Sequence, residues 1–266
     1  MKRGGFLCKS VANDLQLNQT AVVTMEYFVL LSSIALGALT VFWLRLTDAK
    51  RVKVLNAFTG SYLLTLVMLH LLPDLYEPEA GVALKPLVIG GFILFGFFLQ
   101  IAMDSISMGI EHGHAHEIHG RMAFGILAGL CIHAFVEALA LGKSPEHQTA
   151  HDLAAHHFLL VSVVVHNYPI SIALLGMLLQ SGMKKSSALM CLGLFAVMAP
   201  IGMFTSSYTG LAVYSRYLMA IVIGIFMHIS TTILFESEDH HRVPVGKMIA
   251  VIVGLILGIA CVIFEA

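Results

Sequence analysis

Two stretches decide how this chain reads, Cys131-Ile132-His133-Ala134-Phe135-Val136-Glu137-Ala138 and Val165-His166-Asn167-Tyr168-Pro169. Each lies inside a long apolar run, and each carries ionisable side chains. At the centre of a membrane span such a side chain costs about 2.5–3.5 kcal/mol on insertion scales, so it faces a protein interior or a water path and marks function. His133 and Glu137 are four residues apart and share one face of a helix. Two imidazoles and a carboxylate together form a ligand set for a divalent metal ion.

The surrounding composition fits membrane spans. Of the 266 residues, 58% are hydrophobic and 12% charged, and the mean hydropathy is +0.87. A soluble domain carries roughly 25% charged residues. The expected fold class is therefore all-α, a polytopic membrane bundle. A span needs about 20 mostly apolar residues, and eight candidates run over 22–44, 54–72, 86–108, 122–142, 156–180, 187–206, 214–235 and 247–264. Connections are short, so residues 22–266 are expected to form one transmembrane domain in the lipid bilayer, behind a polar N-terminal tail at 1–21. That tail has no small-residue cleavage site at the distance a signal peptide needs.

Net charge is -1, which gives no electrostatic basis for a nucleic-acid partner. The four cysteines form no CxxC pair, and Cys131, Cys191 and Cys261 fall in apolar runs as buried thiols. The Lys/Arg bias of the loops orients the bundle. Arg45, Lys50, Arg51 and Lys53, then Lys184 and Lys185, then Arg242 and Lys247 fall on one side of an eight-span chain. That side is expected to be cytoplasmic, with both termini outside.

The loop at 109–120, containing His112, His114, His116 and His119, then lies in the cytoplasm. Such a tract binds metal weakly and is a candidate exit, although a plain solvated loop reads the same way. Asp104, with Gln100 one turn earlier, lies toward the same end of the third span and is a second exit candidate. His70 and Asp74 close the second span on the outer side and are entry candidates; interfacial capping is the competing reading. Asn167 adds a neutral oxygen beside His166, and Pro169 is expected to kink the fifth span and free a carbonyl. His228 reads as a residue behind the ligands or as buried structure, and Glu236 as interfacial. Gly90, Gly91, Gly96, Gly125, Gly129 and Gly142 read as close helix contacts.

These residues resemble the ZIP family of divalent-metal transporters over nearly the whole chain. Asn56-Ala57-Phe58-Thr59-Gly60 through His70-Leu71-Leu72-Pro73-Asp74 is similar to the family's second span. His133 through Gly142 looks like its HxxxEG-type fourth-span signature. His166 with Ser171-Ile172-Ala173-Leu174 looks like the fifth, Pro200-Ile201-Gly202 the sixth, and Gly224 through Ser230 the seventh. The resemblance implies eight helices, a homodimer, and movement of zinc or a related ion into the cytoplasm. It assigns His133, Glu137 and His166 to the primary metal site.

The departures from the family pattern bear on stoichiometry. Ala138 replaces the usual glycine after the glutamate. Members that hold two adjacent ions carry Asn where Ala134 stands and an acidic residue where Ile170 stands. Here both ligands are missing, so one ion is expected. Asn167 replaces the lysine common in eukaryotic members.

The transported substrate is expected to be Zn2+, with Fe2+, Mn2+, Co2+ and Cd2+ compatible with the same donors. Two other functions fit a His/Glu/His site: an intramembrane zinc-dependent hydrolase, and a metal sensor without flux. No HExxH pair exists. Polar residues are instead spaced from one side of the bilayer to the other, which suits a path and not a reaction centre, so no enzyme is expected.

Overall fold

Eight helices follow one another along the chain, and no strand occurs among the described residues. The computed structural model describes residues 24–43, 49–78, 84–107, 120–142, 150–235 and 244–265. The N-terminal tail, the histidine loop and Glu236 lie outside them. The helices are α1 (Thr24–Trp43), α2 (Ala49–Leu66), α3 (Pro86–Ser107) and α4 (Gly120–Leu139). They continue with α5 (Ala150–Gln180), α6 (Lys185–Thr209), α7 (Ser215–Phe235) and α8 (Val245–Glu265). Seven are long and apolar enough to cross a membrane; the apolar stretch of α4, Phe124–Leu139, is shorter. Each expected span has its helix, with ends displaced by a few residues. The largest displacement is α5, which begins at Ala150 and not at 156.

Two local departures have covalent causes. α2 does not stop at Leu66 but widens into a π-helical turn, Val67–Leu71, and continues through Leu72–Tyr76. Pro73 has no N–H to give to the fourth carbonyl back. The N–H of Leu72 bonds the carbonyl of Val67, five residues back, which is the π pattern. Arg216 of α7 then closes this end, its guanidinium donating to the carbonyls of Leu75 at 2.8 Å and Glu77 at 2.6 Å. In α5 the helix passes through Pro169 without interruption, so the expected break is confined to the one backbone hydrogen bond that proline cannot make. Gly210, at φ 76°, ends α6 in the left-handed conformation that favours glycine and leads by a 3-10 turn into α7.

Lipid and protein faces follow from burial. Along the apolar stretch of α5, 67% of residues are buried, against 17% along α8, so α5 is interior and α8 peripheral. Two hydrophobic cores meet inside the bundle. One joins α2, α3 and α7 with Leu30, Ala138 and Val163; the other joins α1, α4, α5 and α6 around Ile126, Leu130, Ala134, Ile170 and Phe195. α1, α4, α5 and α6 contribute to both.

With lipid as apolar as Leu, helices gain little by hiding Leu from it, and close backbone approach holds them together. α3 and α7 cross through Gly96 and Gly224: a Cβ at Gly224 would lie 2.7 Å from the Phe97 nitrogen, and one at Gly96 would lie 2.7 Å from the Ile221 carbonyl carbon. α4 and α6 meet at Gly202, where an added Cβ would lie 2.5 Å from the Phe135 carbonyl oxygen. Gly142 faces Ser206 in the same way, while Gly254 and Gly258 of α8 face α2. Gly90 and Gly91, expected to be contacts, have nothing within 4 Å of the added Cβ and face no neighbour. Many hydroxyls bond a carbonyl of their own helix, as with Ser162 to the Phe158 carbonyl at 2.8 Å and Thr65 to the Ser61 carbonyl at 2.8 Å. Among the described residues, hydroxyl bonds also run between helices: Ser61 donates to the Val251 carbonyl at 2.7 Å, Tyr62 donates to Cys261 Sγ at 3.8 Å, and Thr40 meets the Tyr168 hydroxyl at 3.0 Å.

Candidate metal centre

The centre lies at the junction of the two cores, where α4 and α5 pass between them. The i,i+4 spacing on α4 puts His133 Nε2 3.0 Å from Glu137 Oε1, and both side chains have no exposure. His166 of α5 faces them, its ring centroid 5.7 Å from that of His133 and its own exposure 1%. One ligand atom from each of the three lies within 4.8 Å of the others. Among the described residues this is the one group of three or more His, Cys, Asp or Glu side chains close enough to share an ion. Two metal–ligand bonds of about 2.0–2.1 Å at a tetrahedral angle place their donor atoms about 3.3 Å apart, so small side-chain rotations suffice to close this set on an ion.

The electrostatics of this group call for a counter-charge. Apart from the approach of His133 Nε2 to Oε1, the Glu137 carboxylate makes no hydrogen bond among the described residues, and neither amide atom of Asn167 makes one. Both side chains are fully buried. A buried carboxylate and a buried amide lacking partners cost several kcal/mol unless something compensates them. A divalent cation would, since it accepts the carboxylate, both imidazoles and the neutral amide oxygen. Ala134 and Ile170, each 2% exposed, line the neighbourhood with hydrocarbon and supply no ligand atom.

The other polar residues fall on either side of this centre along the helices. His70 and Asp74 meet at 3.1 Å on the widened end of α2. The His70 ring packs against Phe158 of α5 with centroids 3.6 Å apart. Nearby in sequence, His156 of α5 pairs with Glu26 of α1 at 3.1 Å. Sequence reading missed this second pair: Glu26 sits at the polar edge of its span and looks interfacial, and its partner is 130 residues away.

Toward the other end of α3, Gln100 bonds the Nδ1 side of His133 through its Oε1 at 3.0 Å and donates from Nε2 to Asp104 Oδ1 at 2.7 Å. The second oxygen of Asp104 meets His228 Nε2 of α7 at 2.7 Å. His228, read as a residue behind the ligands, is therefore joined to them through Asp104 and Gln100. Gln100 was visible only as one turn before Asp104; its contact with α4 depends on how α3 and α4 pack. Cys131 is a free buried thiol, and Cys191 and Cys261 are free and half-buried.

The family model described as ZIP zinc transporter matches residues 108–266, more than half of the chain. The match includes α4 and α5 with His133, Glu137, His166 and Asn167, and also His228. No curated protein gives a match.

Proposed function

Because the chain belongs to the ZIP zinc transporter family, we propose that it carries Zn2+ across a bilayer into the cytoplasm, with His133, Glu137 and His166 as its transport site. The observation that supports this most is the buried group itself: three ligand-type side chains at 0–1% exposure, ligand atoms within 4.8 Å, inside a bundle of membrane-length helices. Two imidazoles and one carboxylate hold a single divalent ion in three positions. Asn167 or water completes four-coordination, as zinc prefers. An incomplete protein shell suits cargo, because a fully enclosed ion would not leave.

The path follows the polar pairs. A cation enters past His70 and Asp74, binds at the centre, and leaves by Asp104 and His228 toward His112, His114, His116 and His119. Each station already pairs a carboxylate with an imidazole, so the arriving ion replaces a contact and does not meet a bare charge. The Lys/Arg bias of the loops supports an exit on the cytoplasmic side and both termini outside. The same donors accept Fe2+, Mn2+, Co2+ and Cd2+, so selection among them depends on geometry and supply. A homodimer is part of the same reading.

The test is uptake of labelled Zn2+, Fe2+, Mn2+, Co2+ and Cd2+ into proteoliposomes, with and without an ion gradient. Saturable Zn2+ entry inhibited by the competing ions is expected; vesicles that bind Zn2+ but admit none would turn the reading into that of a sensor.

Two further outcomes follow. One ion is expected at the centre, since Ala134 and Ile170 cannot bridge a second. Anomalous scattering from two adjacent ions would contradict this. Replacing His112, His114, His116 and His119 together by Ser is expected to slow uptake by a few-fold and not abolish it, because a loop must lose conformational freedom to chelate. A loop variant with normal expression and no transport would make the loop an obligatory station.

A further inference from the structure

We infer that Gln100 is a positioning residue that fixes which nitrogen of His133 carries a proton, and that Asp104 is what fixes Gln100. One hydrogen-bonded chain links His228, Asp104, Gln100 and His133. An amide has one accepting end and one donating end. Asp104, as a carboxylate, only accepts, and it does so at both oxygens: from Gln100 Nε2 at 2.7 Å and from His228 Nε2 at 2.7 Å. The NH2 of Gln100 is thereby committed to Asp104, since the flipped amide would set oxygen against oxygen. Its carbonyl oxygen is left facing His133 Nδ1 at 3.0 Å. An acceptor there requires His133 to donate, so Nδ1 bears the hydrogen. Gln100 is fully buried, which removes water as a substitute partner at this point.

The consequence falls on the opposite nitrogen. Nε2 is the atom that faces Glu137 Oε1 at 3.0 Å, the carboxylate of the same three-residue group. With the proton held on Nδ1, Nε2 is the nitrogen whose lone pair an incoming cation takes as it comes between His133 and Glu137 Oε1. Were the hydrogen on Nε2 instead, the ligand position would be blocked and Nδ1 would have nothing to give to the Gln100 carbonyl. A hydrogen bond to the far nitrogen of a metal-binding imidazole also holds the ring plane, and losing such a partner lowers metal affinity by roughly 10–100-fold. Because the chain begins at His228 on α7 and ends on α4, it joins the α3–α7 pair to the centre.

The effect on uptake rests on the transport-site reading; the position of the proton does not. The test uses full-length protein labelled with 15N-histidine in lipid nanodiscs without metal. The His133 signals are identified as those missing in His133→Ala. Wild type is expected to show a protonated Nδ1. In Gln100→Met, which keeps the length and apolar bulk of the side chain, the proton is expected to move to Nε2. Asp104→Leu leaves Gln100 in place but removes its orienting acceptor, and is expected to give a mixture of the two tautomers. In proteoliposomes Gln100→Met should raise the KM for Zn2+ by about 10–100-fold, more than it lowers the maximal rate. A bare Nδ1 in wild type, or an Nδ1 proton unchanged in Gln100→Met, overturns the inference. An unchanged spectrum in Asp104→Leu removes Asp104 from it. If wild-type vesicles take up no Zn2+, the transport reading fails while the spectra still decide the role of Gln100.

Discussion

Glu137→Ala is expected to abolish saturable Zn2+ uptake while leaving a folded protein in the membrane. The carboxylate is the only charged donor in the group of three. Without it a divalent cation would leave water for two neutral imidazoles and an amide, with its charge uncompensated in a buried setting. A drop of at least about 100-fold in uptake at low Zn2+ follows, since losing even a partner behind a metal ligand costs up to about 100-fold.

The stability effect should be small. Both Glu137 oxygens are buried without a hydrogen bond among the described residues, and Oε1 lies 3.0 Å from His133 Nε2. Keeping an unsatisfied carboxylate out of water is costly, and its removal offsets the loss of the contact with His133. The metal-free variant should therefore melt within a few degrees of the wild-type temperature. Normal uptake by well-expressed Glu137→Ala and His166→Ala proteins would remove these residues from the transport site. A large fall in melting temperature would instead show that the carboxylate is structural.

The second large effect is expected at Gly224, far in sequence from any ligand. Gly224→Val should prevent α3 and α7 from packing. A Cβ there would lie 2.7 Å from the Phe97 nitrogen, 3.0 Å from the Ile93 carbonyl carbon, and nearer still to the Ile93 oxygen. All three are backbone atoms of α3, so no side chain can rotate aside; the helices must separate. Overpacking of this kind costs about 1–3 kcal/mol or more, and separating this crossing also loosens Gly96 against Ile221. The variant should aggregate on extraction and show low expression. Gly90→Ala on the same α3 is the control, with nothing within 4 Å of the added carbon. Equal behaviour of the two variants, measured by size-exclusion profile and thermal melting, would disprove the tight crossing.

The spans and the centre were readable because both depend on local pattern. An apolar run of about 20 residues specifies a membrane helix whatever its neighbours, and all eight expected spans coincide with helices. His133 and Glu137 share a face because a helix turns every 3.6 residues, and an ionisable group in hydrocarbon is costly enough to signal function. The family motifs carried the same information to His166 on the next helix.

What stayed hidden depends on which helices touch. Gly90 and Gly91 look like a packing motif, yet they face no neighbour, while Gly224 and Gly202 sit against the backbones of α3 and α4. The glycine alone does not say which face meets a partner. The π turn at Val67–Leu71 needs Pro73 to act through a carbonyl several residues back. The pairing of Glu26 with His156 and the chain Gln100–Asp104–His228 join residues from 4 to 130 positions apart in the sequence. A hydrogen bond between helices requires directed atoms within about 3 Å. Hydropathy and spacing along one helix place each residue at a depth and on a face. The partner across the interface is chosen by how closely neighbouring backbones approach, which is set by small residues on both helices at once.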